Sequence, residues 1–292
     1  MDRLKRFIPK SFQPYIRPAY RSVRKHLEQI DRSIDKRTLS EAEFESLLQR
    51  LGFNPGAVIF VHSSMNELSR RVPALSPMKV LQIMQQLVGT SGTLLLPTFP
   101  FQGLQLRYVE THDRFDTRRT PSQAGLITEV FRRLPGVVRS IHPTHPVAAW
   151  GKHATALTED HHRGETFGPN SPICKIREYD GIVAGLGIGI EKFTIAHVPE
   201  ELHPKARTYC FEPVRRKMTI MDGDHIFDYE FRCLRAGVDR VYRPVESALV
   251  RDGILRNVVA GGLRCATADA GLYIRRSMEL LDANQYLFNL TS

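Results

Sequence analysis

The fold is decided by an apolar stretch in the second half of the chain, which reads Ile182-Val183-Ala184-Gly185-Leu186-Gly187-Ile188-Gly189. Its first five residues are typical of a buried strand. The strand stops at glycines, and Thr194 then stands where it could cap a helix. His197 follows one turn later, and Glu200 three residues after that. A histidine delivered to the end of a central strand is well placed to act as a general base near neutral pH.

Further apolar runs alternate with helical patterns on the N-terminal side of this stretch. Residues 57–61 and 93–97 are runs of strand type, Ser76-Pro77 opens one helix, and we expect Thr120-Pro121 to open another. Strands that alternate with helices predict an α/β fold. Because the strands are apolar at successive positions, both faces of the sheet should be covered. We therefore expect a three-layer α/β/α sandwich with a largely parallel central sheet.

The C-terminal part of the chain has a different pattern. Asp222-Gly223 separates residues 217–221 from residues 225–231, and such a dipeptide between two extended segments predicts a hairpin. A last helix is expected over about residues 266–281. We therefore expect an antiparallel C-terminal addition, contained with the rest in one domain of residues 37–292.

The positive charge is concentrated at the N-terminus. The 292 residues carry a formal net charge of +10, and residues 1–25 hold eight basic side chains against one acidic side chain. We expect residues 1–36 to form a separate basic arm. The arm could pack on the domain or join a homo-oligomer, and residues 1–25 could instead make a peripheral contact with an anionic membrane surface. The nearly neutral remainder does not favour a nucleic-acid partner.

Several classes of protein and site are disfavoured. The sequence has no apolar run of ~18 residues or more and no export signal, so we expect a cytoplasmic protein that at most touches the inner face of the membrane. The four cysteines form no CxxC pair, and His142 and His145 lack an acidic or cysteine neighbour, so we expect no metal. The sequence also contains no G-x-S-x-G elbow and no phosphate-binding loop ending in Gly-Lys-Ser or Gly-Lys-Thr.

Polar clusters follow the predicted strands and open the predicted helix at Thr120. Ligands of open α/β sheets bind at the carboxyl ends of strands, where helix N-termini supply backbone donors. With Arg118 and Arg119 nearby, such a groove would suit a phosphorylated ligand; ordinary helix capping is the alternative interpretation. The candidate groove residues are Ser63, Ser64, Met65, Thr98, Thr120 and Ser122.

Taken in order, these segments resemble the aminoglycoside 3-N-acetyltransferases, also called the antibiotic N-acetyltransferase family. The resemblance runs from about residue 56 to residue 202. Its blocks are Val61-His62-Ser63-Ser64-Met65, Leu96-Pro97-Thr98-Phe99, Thr120-Pro121-Ser122-Gln123-Ala124-Gly125-Leu126, Val138-Arg139-Ser140-Ile141-His142-Pro143-Thr144-His145-Pro146, Ala148-Ala149-Trp150-Gly151, Phe167-Gly168-Pro169-Asn170-Ser171-Pro172 and Thr194-x-x-His197-x-x-Glu200.

The resemblance implies an enzyme that moves an acetyl group from acetyl-CoA, as co-substrate, to a small-molecule amine on an amino sugar or aminoglycoside. It implies that the candidate groove residues lie along the CoA groove. It makes His197 the catalytic base within the Thr194 block. It also implies a carboxylate that orients this histidine. Glu230, in Asp228-Tyr229-Glu230-Phe231, is the best counterpart, and Glu200 is the other candidate.

Two alternatives remain open. Pro199 stands where the family usually has Ala, and residues 203–292 match only loosely while being rich in arginine. A basic lining would suit an anionic acceptor, such as a nucleotide-linked amino sugar of surface-polysaccharide synthesis. The second alternative is a catalytically silent relative that acts as a membrane-associated binding or scaffold protein through its basic arm.

Overall fold

The computed structural model describes residues 36–288. The predicted basic arm therefore lies outside the described residues, apart from Lys36. Within the described range the chain forms ten strands, which are β1 (Val58–Ser63), β2 (Thr93–Pro97), β3 (Arg114–Asp116), β4 (Val138–Arg139), β5 (Val147–Gly151), β6 (Ile182–Leu186), β7 (Phe211–Asp222), β8 (His225–Leu234), β9 (Leu255–Ala260) and β10 (Leu263–Asp269).

Helices alternate with most of these strands, and short 3-10 turns connect several of them. The α-helices of residues 36–288 are α1 (Glu41–Arg50), α2 (Met65–Arg71), α3 (Pro77–Val88), α4 (Gln105–Thr111), α5 (Leu126–Phe131), α6 (Ala154–Thr158), α7 (Pro172–Lys175), α8 (His197–Leu202), α9 (Pro204–Cys210), α10 (Tyr242–Arg251) and α11 (Ala270–Asp282). None of them is long and apolar enough to cross a membrane.

The central sheet has seven strands, in the order β4-β5-β2-β1-β6-β10-β9. Its middle is parallel, because β1 pairs in parallel with both β2 and β6. The flanking strands β5 and β10 run the opposite way, and β4 and β9 reverse again at the two edges. Five of the seven strands therefore share one direction, and the predicted α/β fold with a largely parallel sheet is confirmed.

Alternate side chains of β1 enter two separate cores. Ile59 and Val61 pack in one core with residues of α1, α3 and α5. Val58 and Phe60 pack in the other with residues of α6, α10 and α11. Successive side chains of a strand point to opposite faces, so a run that is apolar throughout needs a helical layer on each side. This arrangement is the predicted three-layer sandwich.

The predicted helix start at Ser76-Pro77 is confirmed, whereas the one at Thr120-Pro121 is wrong. Ser76 caps α3 by accepting from the Lys79 N–H. Residues 120–124 instead form a loop, and α5 begins at Leu126 after Gly125. The backbone donors of this loop bond to distant groups, with the Gln123 N–H on the Phe99 carbonyl and the Ser122 N–H on the Glu129 carboxylate.

The C-terminal predictions are partly confirmed. Strands β7 and β8 form the predicted hairpin, and β3 joins them in a second sheet of three strands. The helix expected over residues 266–281 begins later, because residues 263–269 form β10 and pair with β6. Helix α11 starts at Ala270, where the Asp269 side chain accepts from the Leu272 N–H at 2.7 Å. The sheet thus takes the small side chains of Ala266 and Ala268 into its core.

Candidate active site

The carboxyl ends of the three parallel strands meet at one edge of the sheet. Ser64 follows β1, Thr98 follows β2, and the segment that carries Thr194 and His197 follows β6. A direct contact joins two of these ends, because the Thr194 N–H donates to His62 Nε2 at 3.4 Å. Thr194 does not cap a helix through its side chain; it opens a 3-10 turn that leads into α8 at His197.

His197 forms a hydrogen-bonded chain with a buried carboxylate and an arginine. Its Nδ1 lies 2.8 Å from Glu200 Oε2, one turn further along α8. Arg240 grips the same carboxylate from the other side, with Nε on Oε1 and Nη2 on Oε2, both at 2.7 Å. Glu200 is fully buried, while the side chain of His197 keeps 18% of its surface exposed. The hydrogen bonds therefore connect the buried Glu200 carboxylate to an imidazole that remains partly accessible.

The charges of Glu200 and Arg240 determine which tautomer His197 adopts. Burial alone would raise the pKa of Glu200, but His197 and Arg240 hold that pKa below its ordinary value. Glu200 is therefore a carboxylate at neutral pH and can only accept hydrogen bonds. The neutral imidazole must then donate from Nδ1, which leaves the lone pair of Nε2 free. An imidazole held in this way can take a proton from a nucleophile.

An aromatic ring packs against the imidazole of His197, and further rings continue from it. The ring of Phe167 lies 4.9 Å from that of His197 and 4.8 Å from that of His145, measured between centroids. His145 also meets Phe99, the residue after Thr98, edge-on at 4.7 Å. The ends of β2 and β6 are thus bridged by packed rings, which exclude water from one side of the histidine.

His62 is a second histidine at this edge. It is buried between Phe60 and Phe193, with ring centroids at 4.5 and 5.7 Å. Burial lowers its pKa to about 3, so the ring is neutral under physiological conditions. Because Nε2 accepts from the Thr194 N–H, the hydrogen of the neutral ring is on Nδ1. His62 therefore acts as an acceptor that fixes the approach to His197.

The family model described as "Aminoglycoside 3-N-acetyltransferase" matches residues 60–282, which is most of the chain and includes every site residue just described. The chain belongs to the aminoglycoside 3-N-acetyltransferase family. The family match thus includes both Glu200 and Arg240, and it extends well beyond the segments whose resemblance to the family is visible by eye.

Two curated members of this family are identical to this protein at about one in three of the aligned residues. Aminoglycoside N(3)-acetyltransferase IV of Salmonella sp is 32% identical over 55% of this chain and 58% of its own length. Aminoglycoside N(3)-acetyltransferase VII of Streptomyces paromomycinus is 31% identical over 62% of this chain and 66% of its own length. The alignments thus span less than two thirds of these two relatives.

Solved structures of the family share the fold. The structure described as "AAC-IIIb binary with CoASH" superposes with a TM-score of 0.69 at 21% sequence identity. The superposition covers 84% of this chain and 97% of that chain. At this level of identity the likeness establishes the common architecture.

The family resemblance suggested Glu230 as the orienting carboxylate, and the structure corrects this. Glu230 is exposed on β8, opposite Lys217, and within residues 36–288 its one side-chain partner, Arg215 Nη2 at 3.3 Å, bonds its backbone carbonyl. The carboxylate that bonds His197 is Glu200. The i,i+3 spacing within one helix brings these two side chains together directly, whereas β8 belongs to the second sheet.

The candidate groove residues fall into two groups. Ser63, Ser64 and Met65 lie at the junction of β1 and α2, where the Ser64 side chain accepts from the Glu67 N–H at 3.4 Å and caps the helix. The remaining three lie beyond the end of β2. The Thr98 hydroxyl donates to the Pro146 carbonyl, Thr120 Oγ1 accepts from the Asp116 N–H, and Ser122 Oγ bonds Thr128 Oγ1.

Arg139 joins Thr98 and Thr120 of the second group, a role that sequence reasoning missed. Its guanidinium donates to the hydroxyl and carbonyl of Thr98 and to the carbonyls of Thr117 and Thr120, at 2.6–3.1 Å. Burial lowers the pKa of Arg139 to about 9, which still leaves it charged at neutral pH. The residue stands within a block that carries the family resemblance, but no spacing rule links it to Thr98 or Thr120.

The donors expected to hold a phosphate are partly used within the protein. The backbone N–H groups of Arg118 and Arg119 both donate to Asp116 Oδ1, at 2.9 and 2.7 Å. The side chains of Arg118 and Arg119 remain exposed. Any attraction for phosphate at this loop therefore comes from the guanidinium groups. Within residues 36–288, no group of three or more His, Cys, Asp or Glu side chains is placed to hold a metal ion.

Proposed function

We propose that this protein transfers the acetyl group of acetyl-CoA to an amine of an aminoglycoside or a related amino sugar, with His197 as the general base. The observation that carries the proposal is the 2.8 Å hydrogen bond between His197 Nδ1 and Glu200, at the carboxyl edge of the parallel strands. Both residues lie within residues 60–282, the part of the protein that matches the family model.

The chemistry follows from the free Nε2 of His197. The amine nitrogen attacks the thioester carbon, a C–N bond forms, and the carbonyl electron pair moves onto oxygen while Nε2 takes the amine proton. The tetrahedral intermediate then collapses, the C–S bond breaks, and His197 returns the proton to the departing sulfur. Glu200 keeps Nδ1 as the donor and stabilises the transient imidazolium. Acid–base assistance of this kind contributes about 10²- to 10⁴-fold in rate.

Two similarities support acetyl-CoA and an aminoglycoside as the substrates. The curated relatives are named aminoglycoside N(3)-acetyltransferases, and the AAC-IIIb structure is a complex with CoASH. Helix α2 begins at the edge where β1 ends, and Arg118 and Arg119 are exposed beside the loop that Arg139 organises. These features would give the phosphates of CoA positive partners.

The structure removes part of the argument for an anionic acceptor. Arg240 is committed to Glu200, and Arg215 and Arg232 both bond Glu165 Oε1, at 2.7 and 3.1 Å. Arg240 is therefore neutralised by a buried carboxylate, and Arg215 and Arg232 share the one negative charge of the half-buried Glu165. These ion pairs reduce the positive charge that would favour a nucleotide-linked sugar.

The test is turnover by the purified full-length protein. With acetyl-CoA, a kanamycin-type amine should release CoA thiol faster than a nucleotide-linked amino sugar does. His197→Ala should lower kcat by two orders of magnitude or more and leave CoA affinity nearly unchanged. His225→Ala, at an exposed turn of the hairpin, is the matched control and should keep full turnover. Wild-type turnover in His197→Ala, or no amine-stimulated thiol release by the wild type, would refute the proposal.

A further inference from the structure

His145 packs against Phe167, the ring that also contacts His197, and the proposed mechanism gives it no role. We propose that His145 donates a hydrogen bond from Nε2–H to the thioester carbonyl oxygen and so stabilises the charge that develops there. The inference rests on the proposed acetyl transfer and adds a catalytic residue to it. Three steps carry it: the tautomer of His145, its position, and its charge.

A chain of buried hydrogen bonds determines the tautomer. The Leu234 N–H donates to Gln105 Oε1 at 2.7 Å, which turns the Gln105 amide nitrogen toward Thr144 Oγ1 at 2.8 Å. Thr144 Oγ1 thus accepts from Gln105, and its own hydrogen goes to His145 Nδ1, 3.0 Å away. Nδ1 of His145 is therefore an acceptor, and in the neutral ring the hydrogen must be on Nε2.

His142 is the competing acceptor for the Thr144 hydroxyl, and the geometry disfavours it. His142 Nδ1 lies 3.5 Å from Thr144 Oγ1, against 3.0 Å for His145. It already accepts the backbone N–H groups of Thr144 and His145, at 3.2 and 3.0 Å. The hydroxyl hydrogen is therefore left for His145. Gln105 and Thr144 are both buried, so water does not compete for these bonds.

The ring of His145 lies beside the reacting edge. It meets Phe167 edge-on at 4.8 Å, and the same Phe167 ring contacts His197. It also packs against Phe99, directly after Thr98 at the end of β2, and against Phe101. Among residues 36–288, Nε2 of His145 has no hydrogen-bond partner. A donor that lacks a partner at the edge of a site is available to a substrate oxygen.

The surroundings keep His145 neutral. Burial lowers its pKa well below the ordinary value, and the nearby His197 and His161 lower it further. A neutral Nε2–H can donate a hydrogen bond without giving up its proton, so His197 remains the group that accepts the proton from the amine. Donors aimed at a developing oxyanion are worth about 10²- to 10³-fold in kcat each.

The first experiment measures the tautomer without using activity. Nitrogen-15 spectra of the histidine-labelled protein should show His145 with a bare Nδ1 and a protonated Nε2 from about pH 5 to pH 8. Thr144→Val removes the hydroxyl and should shift the His145 signals. Protonation on Nδ1 in the wild type, or a second proton within this pH range, would overturn the inference.

The second experiment measures kinetics with paired variants. His145→Leu should lower kcat about 100-fold and change the KM for acetyl-CoA less than threefold, while His145→Gln, whose amide keeps a donor at similar reach, should recover at least a tenth of wild-type kcat. His161→Leu is the structural control, because both nitrogens of His161 bond protein atoms, Ser140 Oγ and the Thr166 carbonyl. It should lower thermal stability with a much smaller loss of kcat.

The outcomes separate the two levels of the proposal. Equal losses in His145→Leu and His145→Gln, or an equal loss in His161→Leu, would overturn the donor role and leave the acetyl transfer intact. Absence of turnover in the wild type would overturn the acetyl transfer, and the donor role with it, while the tautomer measurement would still stand as a structural result.

Discussion

Replacing Arg240 by methionine should destabilise the protein strongly, because it leaves the buried carboxylate of Glu200 without its cationic partner. Arg240 supplies two hydrogen bonds of 2.7 Å to Glu200, whose side chain is fully buried. Methionine is similar in length and carries no charge, so the substitution removes both bonds while largely filling the space. His197 would remain as the carboxylate's one side-chain partner within residues 36–288.

The expected cost follows from the burial of the pair. Breaking a buried ion pair by removing one partner costs about 3–5 kcal/mol. For a domain of this size, that corresponds to a fall in Tm on the order of 10 °C. Arg276 and Asp252 form a matched pair at 2.8 Å near the surface, with both side chains more than a quarter exposed. Arg276→Met should therefore cost less than about 1 kcal/mol.

The assay is equilibrium unfolding in urea for Arg240→Met, Glu200→Gln and the double variant. The double variant should lose less stability than the sum of the two single variants, by about 1–3 kcal/mol, because neither charge is then left alone. The cost of Arg240→Met should also shrink between pH 7 and about pH 4, since a buried carboxylate without its cation becomes easier to protonate.

Two results would refute this reasoning. If Arg240→Met costs no more than Arg276→Met, the pair contributes no more than a surface ion pair. If the two single variants add without coupling, Arg240 and Glu200 do not act on each other as the distances indicate.

Three further substitutions test other features of the structure. Burial, and then the charge of Glu165, raises the pKa of Glu201 to about 7 from an ordinary 4.5, so the free energy of unfolding falls by up to about 3 kcal/mol as the pH rises between these two values. Thermal unfolding of Glu201→Gln should therefore depend less on pH than that of the wild type, and identical pH profiles would contradict the assignment. Gly151→Ala should lower the free energy of unfolding in urea by several kcal/mol, because the new Cβ would lie 2.2 Å from the Gly92 carbonyl oxygen and the backbone φ is +111°. Gly103→Ala is the control: φ is +81° but the space around it is open, so the loss should be only about 1 kcal/mol. Arg139→Met should raise the KM for acetyl-CoA at least tenfold and lower kcat less, because Thr98 and Thr120 lose their common donor; an unchanged KM would argue against a CoA groove at this loop.

The sequence predicted the centre of the fold well and its margins less well. Strands β1, β2 and β6 are visible because they are apolar at successive positions and are buried on both faces. Residues 266–269 were expected to begin the last helix, because alanines and a following helical pattern favour one. Pairing with β6, which no local pattern reveals, makes them part of a strand.

The same division holds within the candidate site. The contact between His197 and Glu200 lies within one helical turn, so the sequence spacing already contains it. Arg240 lies forty residues from Glu200 and reaches it only through the packing of the C-terminal segment against α8. Glu230 was favoured because its local sequence resembles a family segment. A short pattern on a strand does not show which sheet the strand joins, and β8 joins the second sheet.

Three histidines at one edge of the sheet show why residue type alone does not determine a role. His62 is neutral and accepts a backbone hydrogen, so it supports the segment that carries His197. His145 is neutral and accepts at Nδ1, which leaves its Nε2–H for a ligand. His197 donates from Nδ1 to a carboxylate and keeps a lone pair on Nε2. All three have the same intrinsic chemistry, and the group bonded to one ring nitrogen determines what the other nitrogen can do. In the proposed acyl transfer one histidine takes a proton and another only donates a hydrogen bond, and hydrogen bonds from distant parts of the chain create that difference.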